Sequence, residues 1–441
     1  MTKYYNSPRI SSEYRDCSLP LTFDQSSLCS FGCLFCFATY QKTNNPSCKG
    51  KNNPVSFVNV ERIKNSIEGK RPNDVYYQNF FKHRFPLHWG GLTDPFDSRE
   101  LENGTTLQLI KILARNNYPT LFSSHGDLMA KSPYLEIFEA AKENKNFAFQ
   151  FSITTNSDEM VLKLEPGTPS TTDRLKAMKT MSDMGYWTIL RLRPFILDIT
   201  DRGLADLVRR ASEAGVRAIS TEFFCLDVRM NSVLEQRYKM ISELVGYDIR
   251  KFYRQLSPME RGGYFRLNRK IKAPIIEQLL RLCKQYHIQL NISDPDFKEI
   301  NFHGSCCGLP AEQLAPGSGL HNWSRGQLTY FLSEMRKEFL ATGQRPKLTF
   351  KQVLSKQANN WLEDKKYYGD SIKNFSQGFG NANMTFKYEF QQVWNNLRSA
   401  GNPFNYFHGK IKPVGMDEDK NIIFEYVPDQ YEIYWHKEGL I

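Results

Sequence analysis

Up to residue 311 the chain repeats one pattern. Short runs that are apolar, or that alternate apolar with polar, are separated by stretches whose apolar positions fall at helical spacing. Strands are predicted at 19–23 (LPLTF), 86–92 (PLHWGGL), 119–124 (PTLFSS), 147–155 (FAFQFSITT), 187–196 (WTILRLRPFI), 216–224 (VRAISTEFF) and 288–292 (IQLNI). Between them, ELENGTTLQLIKILARNN and TPSTTDRLKAMKTMSDMG carry helical periodicity, and the second opens on Ser, Thr and Asp and closes on Gly185. Strand then helix, repeated about six times, predicts parallel strands joined by right-handed crossovers. The expected fold class is therefore α/β, a partial (β/α)6-type barrel. In such barrels the working side chains gather at the C-terminal ends of the strands.

Beyond residue 312 the alternation stops. SRGQLTYFLSEMRKEFLATG and FKQVLSKQANNWLEDKKYY read as helices, and NIIFEYVPDQYEIYWH reads as a hairpin or a pair of edge strands. The expected organisation is an N-terminal extension over 1–18, the barrel over 19–311 and a C-terminal, mainly helical and hairpin extension over 312–441. The aromatic residues of that last part either form a core or offer faces on which bases stack. No internal repeat or low-complexity block interrupts the chain.

Composition narrows the class. With 441 residues, 40% of them hydrophobic and 13% aromatic, the chain can bury a sizeable core. It has no apolar run of about 18 residues, so no membrane partner is expected. The stretch MTKYYNSPRISSEYRDC lacks the apolar segment and small-residue cleavage site of a secretory signal, and the expected location is the cytoplasm. In a reducing compartment, 9 cysteines are better suited to metal ligation or chemistry than to disulfides. The net charge of +11 admits a polyanionic partner, although the basic residues are dispersed rather than clustered.

The concentrated chemistry lies in SLCSFGCLFCFA, residues 27–38, directly after the first predicted strand. Cys29, Cys33 and Cys36 can hold three irons of a four-iron cluster, because thiolate is the usual ligand of such irons. Phe31, Phe35 and Phe37 are placed to keep water from it. A structural zinc site is the competing reading, with Cys48 or His83 as a fourth ligand, but neither belongs to a second paired motif.

CSFGCLFC resembles the CxxxCxxC loop of the radical S-adenosylmethionine (SAM) superfamily, including Phe35, the aromatic residue before the last cysteine. The resemblance implies a [4Fe-4S] cluster held by Cys29, Cys33 and Cys36. It further implies SAM chelated at the open iron, and reductive cleavage of SAM to a 5'-deoxyadenosyl radical that takes hydrogen from a substrate. HWGGLTDPFD is similar to the superfamily's glycine-rich strand-two end. There Gly90 and Gly91 would allow close approach, and Thr93 and Asp94 would offer oxygens to the SAM ammonium. TDP at 93–95 together with LEPGTPSTTDRLKAM at 164–178 resembles the spore photoproduct lyase-like branch.

By the same resemblance, Ser124, Ser152, Thr154 and Thr155 are cofactor-binding candidates, with backbone capping as the plainer alternative. Arg191 and Arg193 share one side of the fifth strand. They meet either the SAM carboxylate or ordinary partners such as Glu165 and Asp173. The branch's hydrogen-donating cysteine at the end of strand two has no counterpart in HWGGLTD, which argues against that branch's own repair reaction. Cys306 and Cys307 in NFHGSCCGLP, and Cys225 in TEFFC, are the candidate replacements. The expected activity is radical chemistry on a nucleic-acid base or nucleotide, with a flavodoxin or ferredoxin as electron donor. A peptide or small metabolite is the alternative substrate. A non-catalytic iron–sulfur structural or sensor protein is a further reading.

Overall fold

The computed structural model describes residues 4–11, 16–17, 19, 21–38, 55–74, 76–82, 84–229, 231–256, 260–261, 263–301, 305–309, 327–354, 375–376, 381–382 and 393–441. The chain divides into two compact units. The first holds Met1–Pro8, Thr22–Lys64 and His88–Leu290, and the second holds Arg9–Leu21, Asn65–Leu87 and Asn291–Ile441.

A sheet whose spatial order follows the chain is the frame of the first unit. Beyond a two-residue edge strand at Arg9–Ile10, its strands are β1 (Leu21–Phe23), β2 (Leu87–Trp89), β3 (Thr120–Ser124), β4 (Phe147–Ser152), β5 (Trp187–Phe195), β6 (Ala218–Phe223) and, after a smaller sheet, β9 (Gln289–Ile292). The β3–β4, β4–β5 and β5–β6 ladders are parallel, with Thr120 opposite Phe147, Ala148 opposite Trp187 and Ile189 opposite Ala218. The α/β expectation is therefore met. Every residue of β3 and β4 is buried, as parallel strands covered on both faces require. Pro194 has no N–H for the ladder, and the register between β5 and β6 shifts there, between Leu192 and Phe195. The smaller antiparallel sheet pairs β7 (Cys225–Asp227) with β8 (Tyr264–Arg266).

Helices α1 (Thr105–Arg115), α2 (Tyr134–Ala141), α3 (Asp158–Leu164), α4 (Thr171–Asp183), α5 (Leu204–Glu213), α6 (Ser232–Val245), α7 (Ile249–Leu256) and α8 (Arg269–Tyr286) intervene. The stretch expected as one helix over 100–117 is broken at Gly104. The buried Glu100 carboxylate causes the break by accepting the first N–H groups of α1, from Thr106 at 2.8 Å and Leu107 at 2.8 Å. Between sheet and helices lies an aromatic core, in which Phe122 stacks on Phe149 with centroids 5.4 Å apart and both meet Phe138 of α2. Alternation along the strands then sends Ser123 and Gln150 to the other face.

In the second unit, helix α9 (Gln327–Thr342) packs with an antiparallel sheet of β10 (Lys347–Thr349), β12 (Ile422–Tyr426) and β11 (Ile411–Met416). Among the described residues several of its aromatics are core: Phe331 stacks on Phe350 at 4.5 Å, and Phe350 on Trp394 at 4.6 Å. The expected hairpin over 421–436 is corrected. Only its first half is strand, and Gln430–Lys437 is helix α10 because Asp429 caps the N–H groups of Tyr431 and Glu432, each at 3.0 Å. The segment Arg9–Leu21 contributes Asp16, whose carboxylate accepts from Lys298 Nζ and Thr329 Oγ1, each at 2.8 Å. No helix among the described residues is long and apolar enough to cross a membrane.

Candidate functional site

The loop after β1 carries the three cysteines. Their thiols are free, with Cys33 buried and Cys29 and Cys36 half-buried. Burial, aided by the Asp94 charge, pushes the Cys29 thiol up to about 12. Burial pushes Cys33 well above the ordinary thiol range. Glu165, Cys36 and Cys29 add to the shift, and Arg174 opposes it. All three thiols lie within the one loop of residues 29–36. A bound cation would replace the thiol protons and relieve the repulsion. An all-sulfur, three-ligand set fits iron–sulfur ligation better than closed tetrahedral zinc. Cys48 and His83, the alternative zinc ligands, lie outside the described residues.

The loop is fastened on several sides. Ser30 N–H donates to Asp97 Oδ2 at 2.8 Å, Leu34 N–H to the Leu164 carbonyl at 3.0 Å and Gly167 N–H to the Phe31 carbonyl at 3.0 Å. Arg237 Nη1 donates to the Cys33 carbonyl at 2.9 Å. A Cβ on Gly167 would stand 2.8 Å from both Phe31 Cα and the Phe31 carbonyl oxygen, so only glycine permits this approach. Phe31 is buried, and Phe35 packs against His125 with ring centroids 5.9 Å apart. Phe37 is 51% exposed, which removes it from the expected water shield.

At the end of β2, Gly90 has φ +110, and a Cβ there would overlap the Ser123 carbonyl oxygen of the neighbouring strand. A Cβ on Gly91 would meet Thr22 and Asp24 only at ordinary contact distance, so the backbone there does not require glycine as it does at Gly90. Thr93 is buried, and its N–H donates to Asp24 Oδ1 at 2.8 Å, as does that of Leu92 at 2.7 Å. Asp94 is buried, which raises its pKa, and both its oxygens have protein partners. Oδ1 accepts from Ser124 Oγ at 2.6 Å and Phe96 N–H at 2.9 Å, while Oδ2 accepts from His125 N–H at 2.6 Å. The TDP stretch thus ties together the ends of β1, β2 and β3, and Ser124 is a peg within that tie.

His125 follows the candidate Ser124 directly and was not among the expected site residues. Its Nδ1 lies 2.8 Å from Glu165 Oε2, the same oxygen that accepts from Arg174 Nη1 at 2.8 Å. Burial works to raise the Glu165 pKa, but Arg174 and His125 overcome it and hold the carboxyl at about 2. Thr154 Oγ1 donates to Glu165 Oε1. Arg174 is wholly buried and also reaches the Ser152 carbonyl at 2.6 Å and Thr168 Oγ1 at 3.0 Å. One ligand atom each of Cys33, His125 and Glu165 lie within 4.8 Å of one another. The signal that could have found His125 was its place directly after a strand, in SSHGD.

The sheet face opposite the aromatic core is polar. His88 Nε2 lies 2.7 Å from Ser123 Oγ, which in turn donates to Gln150 Oε1. Arg191 Nη1 donates to Ser152 Oγ at 3.2 Å, and Arg193 pairs with Glu222. Burial, then the charges of Arg191 and Arg193, lowers His88 to about 3, so this imidazole is neutral. Of the two alternatives for these arginines, pairing with Glu165 or Asp173 is not the one the fold makes. Glu165 belongs to Arg174 and His125, and Asp173 to Ser170 and Lys176 at the exposed start of α4. Thr155 uses its carbonyl to accept from Thr171 Oγ1 at 2.7 Å.

Of the candidate hydrogen donors, Cys225 starts β7, half-buried, with its Sγ 3.4 Å from the Phe223 carbonyl oxygen. Cys306 is half-buried and Cys307 buried, and both belong to the second unit.

No family model matches the chain, and no curated protein matches it. Among solved structures, it is similar to a spore photoproduct lyase variant at 16% identity and TM-score 0.48, over 66% of this chain and 80% of that one. Another variant of that lyase, with bound AdoMet and dinucleoside spore photoproduct, matches at 17% identity and TM-score 0.46, over 63% of this chain and 77% of that one. SuiB of Streptococcus suis, bound to precursor peptide SuiA, matches at 14% identity and TM-score 0.38, over 63% of this chain and 49% of that one.

Proposed function

We propose that the chain is a radical SAM enzyme that uses a [4Fe-4S] cluster held by Cys29, Cys33 and Cys36. The observation that carries this reading is the placement of three free thiols, those of Cys29 and Cys33 desolvated, on one anchored loop directly after the first strand of a parallel sheet. When bound, the cluster and SAM together supply one-electron cleavage of SAM to methionine and a 5'-deoxyadenosyl radical.

The protein's own part is positioning and protection. Phe31 and Phe35 exclude water from the loop, while Asp94 and Ser124 lock the ends of β2 and β3 beside it. The polar sheet face, with neutral His88, Gln150, Ser152, Arg191 and Arg193, is the surface for SAM and substrate. A guanidinium fork there suits a carboxylate or a phosphate. The net charge of +11 together with those arginines supports a nucleic-acid base or nucleotide as substrate. Cys225, Cys306 and Cys307 are the proposed hydrogen donors, and a flavodoxin or ferredoxin the electron donor.

The test is anaerobic reconstitution with iron and sulfide, reduction by dithionite, addition of SAM and assay of 5'-deoxyadenosine by mass spectrometry. Wild type should form it, and the Cys29→Ala, Cys33→Ala, Cys36→Ala triple variant should not. No product from a loaded, reducible cluster would sink the enzyme reading. Deuterated DNA and deuterated peptide then compete as hydrogen sources, and label in deoxyadenosine from peptide alone would overturn the nucleic-acid reading.

A further inference from the structure

The cysteine loop and the LEPGTP loop are built as one piece. Leu164 and Gly167 bond the backbone of Leu34 and Phe31, on either side of Cys33, and between them Glu165 turns inward. Glu165 is wholly buried, and an exposed structural role would not need the set of partners that surrounds it. Arg174 neutralises it from one side, Thr154 binds its second oxygen, and His125 stands between it and solvent with its side chain 15% exposed. The partner oxygen, the imidazole nitrogen and Cys33 Sγ all lie within 4.8 Å. A carboxylate, paired with Arg174, is thus fixed beside Cys33, where the low dielectric preserves its effect.

We propose that Glu165, oriented by Arg174 and His125, is a positioning residue that sets the reduction potential of the cluster bound through Cys33. This rests on the function proposed above. Adding one electron to a cluster places further negative charge beside Cys33, and the ionised Glu165 disfavours that state relative to the oxidised one. The reduced cluster is thereby made a stronger one-electron donor, as SAM cleavage demands. The carboxylate oxygen lies within 4.8 Å of the Cys33 sulfur, and Arg174, paired with that carboxylate at 2.8 Å, cancels part of its effect. No bond forms or breaks; the electron comes from the external reductant.

The test is an EPR-monitored dithionite titration of reconstituted wild type and Glu165→Gln, with iron content measured on both. The amide keeps the size and an oxygen for Arg174 while removing the charge. Glu165→Gln should load iron as wild type does and reduce more easily, with the one-electron equilibrium displaced about tenfold, equivalent to about 59 mV towards positive potential. If Arg174 left unpaired prevents folding, the Glu165→Gln, Arg174→Met double variant is titrated instead and should shift in the same direction by less. An unshifted potential in a loaded, folded variant overturns the proposal while leaving the radical SAM reading intact. A wild type that takes up no reducible cluster overturns both.

Discussion

At the scale of single residues, the site depends on positions where no side chain fits. Gly167 lets the LEPGTP loop touch the cysteine loop, because a Cβ would press on Phe31 Cα and its carbonyl oxygen at 2.8 Å. The backbone, unlike the end of a flexible side chain, cannot swing aside. Gly167→Ala should therefore cost about 1–3 kcal/mol, the range for overpacking, and should loosen the cysteine loop. The checks are a lowered melting temperature and a lower iron content after reconstitution. Gly415→Ala is the control: nothing lies within 4 Å of its Cβ, and its stability should stay within about 0.5 kcal/mol of wild type. Asp94 makes the complementary case, since its side chain is fully committed. Its oxygens accept from Ser124, Phe96 and His125, so Asp94→Ala would leave buried donors unpaired, at about 1–3 kcal/mol for each.

At the scale of elements, helix α10 and strands β11 and β12 of the second unit are joined through buried charge. Lys410, which directly precedes β11, meets Glu299, Glu432 and, at 3.5 Å, Asp429, and Tyr426 of β12 donates to Glu432. Burial raises the Glu432 carboxyl to about 7; Lys410 opposes the shift and Glu299 adds to it. The folded state therefore keeps a proton that the unfolded chain releases above its ordinary pKa of 4.5. That contribution to stability is whole below about pH 4.5 and is lost as pH rises through about 7. Melting temperatures of wild type and Glu432→Gln, measured from about pH 5 to about pH 8, should diverge. The wild type should fall with rising pH relative to the variant, and parallel curves would show that Glu432 does not titrate in this window.

For the whole molecule, the net charge of +11 makes a prediction that the individual contacts do not. If the substrate is nucleic acid, binding of a short single strand should weaken linearly in log affinity against log salt, each phosphate contact steepening the slope. Fluorescence anisotropy at several salt concentrations measures it. A flat response, or no binding, turns the reading towards a peptide or small metabolite.

What the sequence by itself determined follows from local physics. The strand–helix alternation survives because period-2 and period-3.6 patterns decide which face each element buries, and all the strands predicted from 19–23 to 288–292 are present. The CxxxCxxC spacing likewise stood out because three thiols within eight residues can face one centre without long-range help. The partners remained for the tertiary structure to decide. Arg191 and Arg193 share a face as their alternation requires, yet neither pairs with Glu165 or Asp173 among their described contacts. Thr93 and Asp94, expected to offer oxygens to a ligand, also bond within the fold, Thr93 through its N–H to Asp24 and Asp94 by accepting from Ser124 and His125. The Cys33–His125–Glu165 cluster joins positions on three separate loops, so no window of sequence contains it. Hydrophobic periodicity records which way a side chain points, but only the packed fold brings together groups distant along the chain, and it is there that charge and burial are settled.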